Sequence, residues 1–165
     1  MKNKLFYFLL FVLITAFGLH DNPSGGWYQQ YLPNIGNASV KDILFTDSLN
    51  GYSISNINSS NQSFISKSTN GGDNWIINLT FNPGRILQTI KFIDQQTGYI
   101  NAGYNELYKT TDGGGNWQTL ILPTDLYSND MSVLNEDTIF LVDDESLTGG
   151  LFRTTNGGVN WQQLY

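Results

Sequence analysis

The sequence predicts an all-β fold of β-propeller type, about three four-stranded blades in an incomplete ring, and three observations carry that reading. The first is an internal repeat. Trp27, Trp75, Trp117 and Trp161 stand 48, 42 and 44 residues apart. The last three close nearly the same phrase: Ser68-Thr69-Asn70-Gly71-Gly72-Asp73-Asn74-Trp75, Thr110-Thr111-Asp112-Gly113-Gly114-Gly115-Asn116-Trp117 and Thr154-Thr155-Asn156-Gly157-Gly158-Val159-Asn160-Trp161. Self-similarity at this period marks stacked supersecondary units. The second is composition: 17 glycines with many Asn, Ser and Thr suit short strands joined by tight turns. The third is that apolar residues make up 40% and charged residues 13% of the chain, which is enough to bury a core and too apolar for disorder.

The chain opens with Lys2 and Lys4, an uncharged run from Leu5 to Phe17, and small residues at Ala16 and Gly18. This reads as a secretory signal over residues 1–18, its apolar run too short to span a bilayer. Cleavage there removes two lysines and moves the formal net charge from −6 to −8. The expected setting is secreted, periplasmic or at the cell surface, with no stable membrane insertion after cleavage. An acidic chain is a poor ligand for phosphate backbones, so no nucleic-acid partner is expected. The chain has no cysteine, which excludes disulfides, thiolate metal sites and a cysteine nucleophile.

Residues 19–26 form a linker rich in chain breakers, and the repeat domain is expected over 27–165, with blades at about 38–82, 84–123 and 129–165. The second blade shows its strands best: Ile86 to Ile93, Gly98 to Gly103, Glu106 to Thr111 and Asn116 to Leu122. The first matches with Val40 to Phe45, Gly51 to Asn56, Phe64 to Thr69 and Asn74 to Thr80. The third is looser, with Met131 to Leu134, Thr138 to Val142, Leu151 to Thr155 and Asn160 to Tyr165. Trp27-Tyr-Gln-Gln-Tyr31 resembles Trp161-Gln-Gln-Leu-Tyr165, so the N-terminal segment reads as a fourth strand without its first three. Three blades do not close a ring. The chain is expected either to be part of a larger propeller or to associate with itself head to tail.

In the repeated phrase the glycine pairs Gly71-Gly72, Gly113-Gly114 and Gly157-Gly158 supply the positive φ of a reversal. Asn70, Asp112 and Asn156 accept hydrogen bonds from the turn's own amides, and the preceding Thr69, Thr111 and Thr155 are expected to do likewise. Trp75, Trp117 and Trp161 pack over the turn or between blades. These residues form a structural set.

The phrase resembles the Asp-box, or bacterial neuraminidase repeat, Ser/Thr-x-Asp/Asn-Gly-Gly-x-x-Trp. VKDILFTDSLNGY and LQTIKFIDQQTGY resemble more narrowly the photosystem II assembly-factor-like propeller family, the likeness covering about residues 27–165. The resemblance implies a structural box on the outer rim, away from any active site. Asn in two of three boxes keeps the acceptor and loses the charge, which suits a turn clamp better than catalysis or metal binding.

Asp-box sialidases hold a substrate carboxylate with three arginines, and this chain has only Arg85 and Arg153. Carboxylates for another glycosidase exist at Asp42, Asp47, Asp94, Glu106, Asp130 and Asp137, with nothing in the sequence to pair them. The one histidine, His20, lies outside the predicted fold. Asp143-Asp144-Glu145 reads as a charged hairpin tip, with calcium binding the weaker alternative. No catalytic residue, metal site or cofactor is expected. The function expected is a non-catalytic, exported propeller scaffold that binds a protein at the cell envelope or outside the cell. The alternative is a carbohydrate-binding module or the remnant of an Asp-box hydrolase, with Tyr104 the candidate glycan contact.

Overall fold

The computed structural model describes residues 30, 32–33, 35–57, 59–81, 85–123, 126–143 and 149–164. The signal, the linker and Trp27 lie outside the described residues. The chain forms three four-stranded antiparallel sheets in sequence order. The first blade holds β1 (Ser39–Phe45), β2 (Gly51–Ile57), β3 (Gln62–Ser68) and β4 (Ile76–Phe81). The second holds β5 (Thr89–Phe92), β6 (Gly98–Asn101), β7 (Glu106–Thr110) and β8 (Gln118–Ile121). The third holds β9 (Ser128–Val133), β10 (Ile139–Asp143), β11 (Gly150–Thr154) and β12 (Gln162–Gln163).

Strand partners are hairpin neighbours throughout, so each blade is a meander set by its own turns. Turn chemistry repeats between the first two strands. Asp47 caps the amides of Leu49 and Asn50 at 2.7 and 2.8 Å. Asp94 caps Gln96 and Thr97 at 2.7 and 2.6 Å, and Asn135 caps Asp137 and Thr138 at 3.0 and 2.8 Å. These bonds hold the Asp47 and Asp94 carboxyls below their ordinary range, through Asn50 and the Thr97 amide respectively.

First strands of successive blades touch, β1 with β5 and β5 with β9, whereas β4, β8 and β12 do not touch one another. The first strands therefore converge on the inside of an arc. The core lies between sheets, because a sheet exposing both faces must bury each against a neighbour. Tyr52, Ile54 and Ile65 of the first blade pack on Ile90, Ile100 and Tyr108 of the second. Tyr99 and Leu107 of the second pack on Met131, Ile139 and Leu141 of the third.

Candidate functional site

The three boxes share one hydrogen-bond pattern. Its hydroxyl belongs to the last residue of the third strand, one position before the threonines named from sequence. Ser68 Oγ, Thr110 Oγ1 and Thr154 Oγ1 accept from the amides of Gly72, Gly114 and Gly158 at 2.9, 2.9 and 3.0 Å. The same hydroxyls donate to Oδ1 of Asn70, Asp112 and Asn156 at 3.0, 2.9 and 2.9 Å. Each Oδ1 accepts the amide of Asn74, Asn116 or Asn160 at 2.9, 2.8 and 2.9 Å. Thr69, Thr111 and Thr155 are exposed, because strand alternation turns them away from the loop. Both glycines of each pair hold positive φ, between 66° and 94°. At Gly114 a Cβ would also lie 3.0 Å from the Tyr52 ring.

Asp112 is the one charged member, and the Asn116 side chain, followed by the Asn116 amide and Thr110, lowers its pKa to about 2. A carboxyl depressed on folding contributes stability that is complete above its unfolded value and lost as pH falls towards the folded one. Asp112→Asn, which copies the other two boxes, is therefore expected to flatten the drop in unfolding temperature between about pH 5 and about pH 2.5. Scanning calorimetry at both pH values checks this, and parallel drops in variant and parent would contradict it.

The second box also joins blades. Tyr52 Oη and Lys67 Nζ both donate to the Gly113 carbonyl, at 2.6 and 2.9 Å, and Asn78 Nδ2 donates to the Gly114 carbonyl at 2.6 Å. The Lys67 ammonium lies 5.1 Å from the Tyr52 ring centroid. Tyr52 stacks on Phe92 with centroids 4.4 Å apart, and Phe92 meets Trp117 edge-on. On the inner strands, Asp42 Oδ2 accepts from Thr89 Oγ1 and the Ile90 amide, both at 3.0 Å. Tyr99 and Lys109 repeat the tyrosine and lysine positions one blade on, contacting the Glu136 carbonyl and carboxylate at 3.3 and 3.2 Å. The second box turn is thus both a hairpin staple and a surface on which the preceding blade docks, whereas the third blade receives Tyr99 and Lys109 at Glu136 in its β9–β10 turn.

The remaining carboxylates are dispersed. Glu106 pairs with Arg85 Nε and accepts from Tyr108 Oη at 2.7 Å, and burial raises the Tyr108 pKa, with Glu106 adding to the shift. Asp130 accepts the Met131 amide at 2.8 Å, and Asp137 lies in the exposed β9–β10 turn. Asp143 ends β10 and is buried, while Asp144 and Glu145 lie outside the described residues. Arg85 and Arg153 stand in different blades, Arg153 bonding Gln162 at 3.3 Å. Among the described residues no three His, Asp or Glu side chains cluster as metal ligands do. Tyr104 is exposed and bridges Tyr127.

A cleft of about 290 Å³ runs between the inner strands β1 and β5, lined by residues 42–46 and 90–94. Ile43 and Phe45 belong to its wall, their side chains exposed on the sheet face that carries Ser53 and Gly51. No sequence motif marks this cleft, since the two strands meet across blades, through Asp42 and through the shared core of Leu44, Ile90 and Phe92. No helix among the described residues is long and apolar enough to cross a membrane.

The comparisons match this geometry of boxes and blades. The family model described as photosynthesis system II assembly factor YCF48 matches residues 21–164. The chain belongs to that family. A solved structure titled "YCF48 bound to D1 peptide" is similar with a TM-score of 0.71 and 21% identity over 86% of this chain and 44% of that one. The YCF48 structure from Cyanidioschyzon merolae gives a TM-score of 0.68 and 22% identity over 85% of this chain and 40% of that one. The chain thus spans less than half the length of either. No curated protein matches it. The YCF48-like propeller fold, with boxes of the neuraminidase-repeat type, is shared.

Proposed function

We propose that this YCF48-like chain is a non-catalytic scaffold that binds a protein segment in the cleft between β1 and β5. One observation carries the reading: the family model covers nearly the whole chain, and a propeller of the same fold is titled as bound to a peptide. The cleft suits an extended segment, because its walls are the backbones of two first strands, of which Ile43 and Lys91 form part. The dispersal of Asp42, Asp47, Asp94 and Glu106 into turn caps, blade contacts and an ion pair supports a role without chemistry.

The test is site-specific photocrosslinking in the source cell from a benzophenone side chain at Ile43 or Lys91, with Ile76 on the outer strand as control. A discrete protein adduct from both cleft sites and none from Ile76 is expected. Absence of any adduct, or hydrolysis of glycosides by the purified protein, would overturn the reading. Export completes the proposal and rests on Lys2, Lys4 and the apolar run that follows. Intact mass of protein recovered from the cell is expected to show loss of residues 1–18. Retention of that segment would contradict export by cleavage.

A further inference from the structure

The cleft is bounded by main chain, and the phase of the two hairpin ladders shows which main-chain groups face it. β1 and β5 each stand at the end of their strand order, so each has one ladder neighbour and one free edge. The Thr46 amide donates to the Asn50 carbonyl at 2.9 Å, and the Ile93 amide to the Thr97 carbonyl at 3.0 Å. Bonds in an antiparallel ladder fall on alternate residues. Leu44 and Asp42 therefore bond towards β2, and Lys91 towards β6. Ile43 and Phe45 on β1, with Ile90 and Phe92 on β5, turn their N–H and C=O groups to the free edges.

Two of these four amides are taken by one side chain. Asp42 Oδ1 accepts from the Ile43 amide at 2.9 Å and Oδ2 from the Ile90 amide at 3.0 Å, which fixes the phase on both strands. The carboxylate oxygens thus stand where the carbonyl oxygens of an added strand would stand. Two residues further along, the same device is missing. Leu44 precedes Phe45 and has no acceptor, and Lys91 precedes Phe92 and carries only donors. Neither the Phe45 nor the Phe92 amide has an acceptor among the described residues, and both residues line the cleft.

We infer, resting on the protein-binding reading of this cleft, that the partner is recognised through its own main chain, as a strand added to the free edge of β1 at Phe45. β1 is the longer of the two edges, seven residues against four for β5. One residue of the occupant gives its carbonyl to the Phe45 amide, and the outward carbonyls of Phe45 and Ile43 take amides from the same segment. Asp42 closes the ladder beyond that point by holding the Ile43 amide. The occupant is therefore an extended segment without proline opposite Phe45, chosen by extension and register more than by its side chains. A glycan, with no repeating amide and carbonyl, does not fit this edge.

Proline separates main chain from side chain at this position. The Phe45 N–H lies outside the ladder, so Phe45→Pro removes a donor from a free edge, where proline is tolerated, and breaks no bond to β2. Phe45→Ala loses the same ring and keeps the N–H. With benzophenone at Lys91 in the source cell, the protein adduct from Phe45→Pro is expected to fall about tenfold below that from Phe45→Ala, because the partner's carbonyl is left unpaired. Equal yields from the two variants would overturn main-chain recognition and leave protein capture in the cleft standing. So would loss of the adduct by both while the natural side chain supports it, which would assign capture to the Phe45 ring. No adduct with Phe45 in place would overturn the cleft reading itself. Amide exchange on the purified adduct and on the free chain keeps the test independent of whether the proline variant folds. The Phe45 amide is expected to exchange about tenfold more slowly in the adduct, and the Ile43 amide, held by Asp42, at the same rate in both. Equal exchange of the Phe45 amide in the two would overturn the added strand.

Discussion

Tyr52→Ala is expected to destabilise the protein by about 3–5 kcal/mol, the cost of truncating a buried aromatic side chain. The side chain is 1% exposed and joins two blades by two routes, its ring stacking on Phe92 and its hydroxyl bonding Gly113, while Lys67 of its own blade lies over the ring. Tyr52→Phe isolates the last of these. It is expected to cost about 0.5–1.5 kcal/mol, the net worth of an ordinary hydrogen bond, because Lys67 still satisfies the Gly113 carbonyl. Urea unfolding of both variants checks the split. Equal costs would show that the ring contributes nothing beyond its hydroxyl.

Gly98→Ala is expected to be far more damaging than Gly51→Ala, although the two positions are equivalent in the repeat. A Cβ at Gly98 would lie 2.6 Å from the Phe92 ring, and one at Gly51 would lie 2.7 Å from the Phe45 ring. The clash is nearly the same and the freedom to relieve it is not. Phe92 is held between Tyr52 and Trp117, so its ring must leave a stacked place in the core. Phe45 is 44% exposed and meets Trp75 edge-on, so it can swing outward. Overpacking a filled site costs about 1–3 kcal/mol, and that range is expected for Gly98→Ala. A cost below about 1 kcal/mol is expected for Gly51→Ala, as for changes outside well-packed sites. Comparable losses at the two sites would show that the blade-to-blade sandwich does not pin Phe92.

The blades were legible in the sequence because their punctuation is local. A glycine pair with a short acceptor before it and an indole after it determines a hairpin from within eight residues. The same local logic misplaced the hydroxyl. Thr69, Thr111 and Thr155 adjoin the acceptor in sequence, yet a strand turns neighbouring side chains to opposite faces, and the residue one earlier points into the loop. Asn135 was equally hidden, since the third repeat replaces the Asp47 and Asp94 caps with an amide. Contacts across blades were out of reach altogether. That Asp42 serves Thr89 and Ile90, or that Tyr52 ends on Gly113, depends on how one sheet lies on the next. The cleft between β1 and β5 follows from the same packing, and for that reason no motif announced it.

Residues that hold blades together are distinct from residues that meet a partner, and one paired measurement tests that separation most directly. Protein capture by purified protein is to be quantified alongside unfolding temperature for a cleft variant, Ile43→Glu with Lys91→Glu, and for a box variant, Thr110→Val. The cleft variant is expected to lose capture at an unchanged unfolding temperature, because Ile43 is exposed and no described contact depends on either side chain. The box variant leaves the buried Gly114 amide without its acceptor and is expected to lose about 1–3 kcal/mol of stability while capturing normally below its unfolding range. Undiminished capture by the cleft variant, together with loss of capture by a folded box variant, would contradict the account and move the binding site to the boxes.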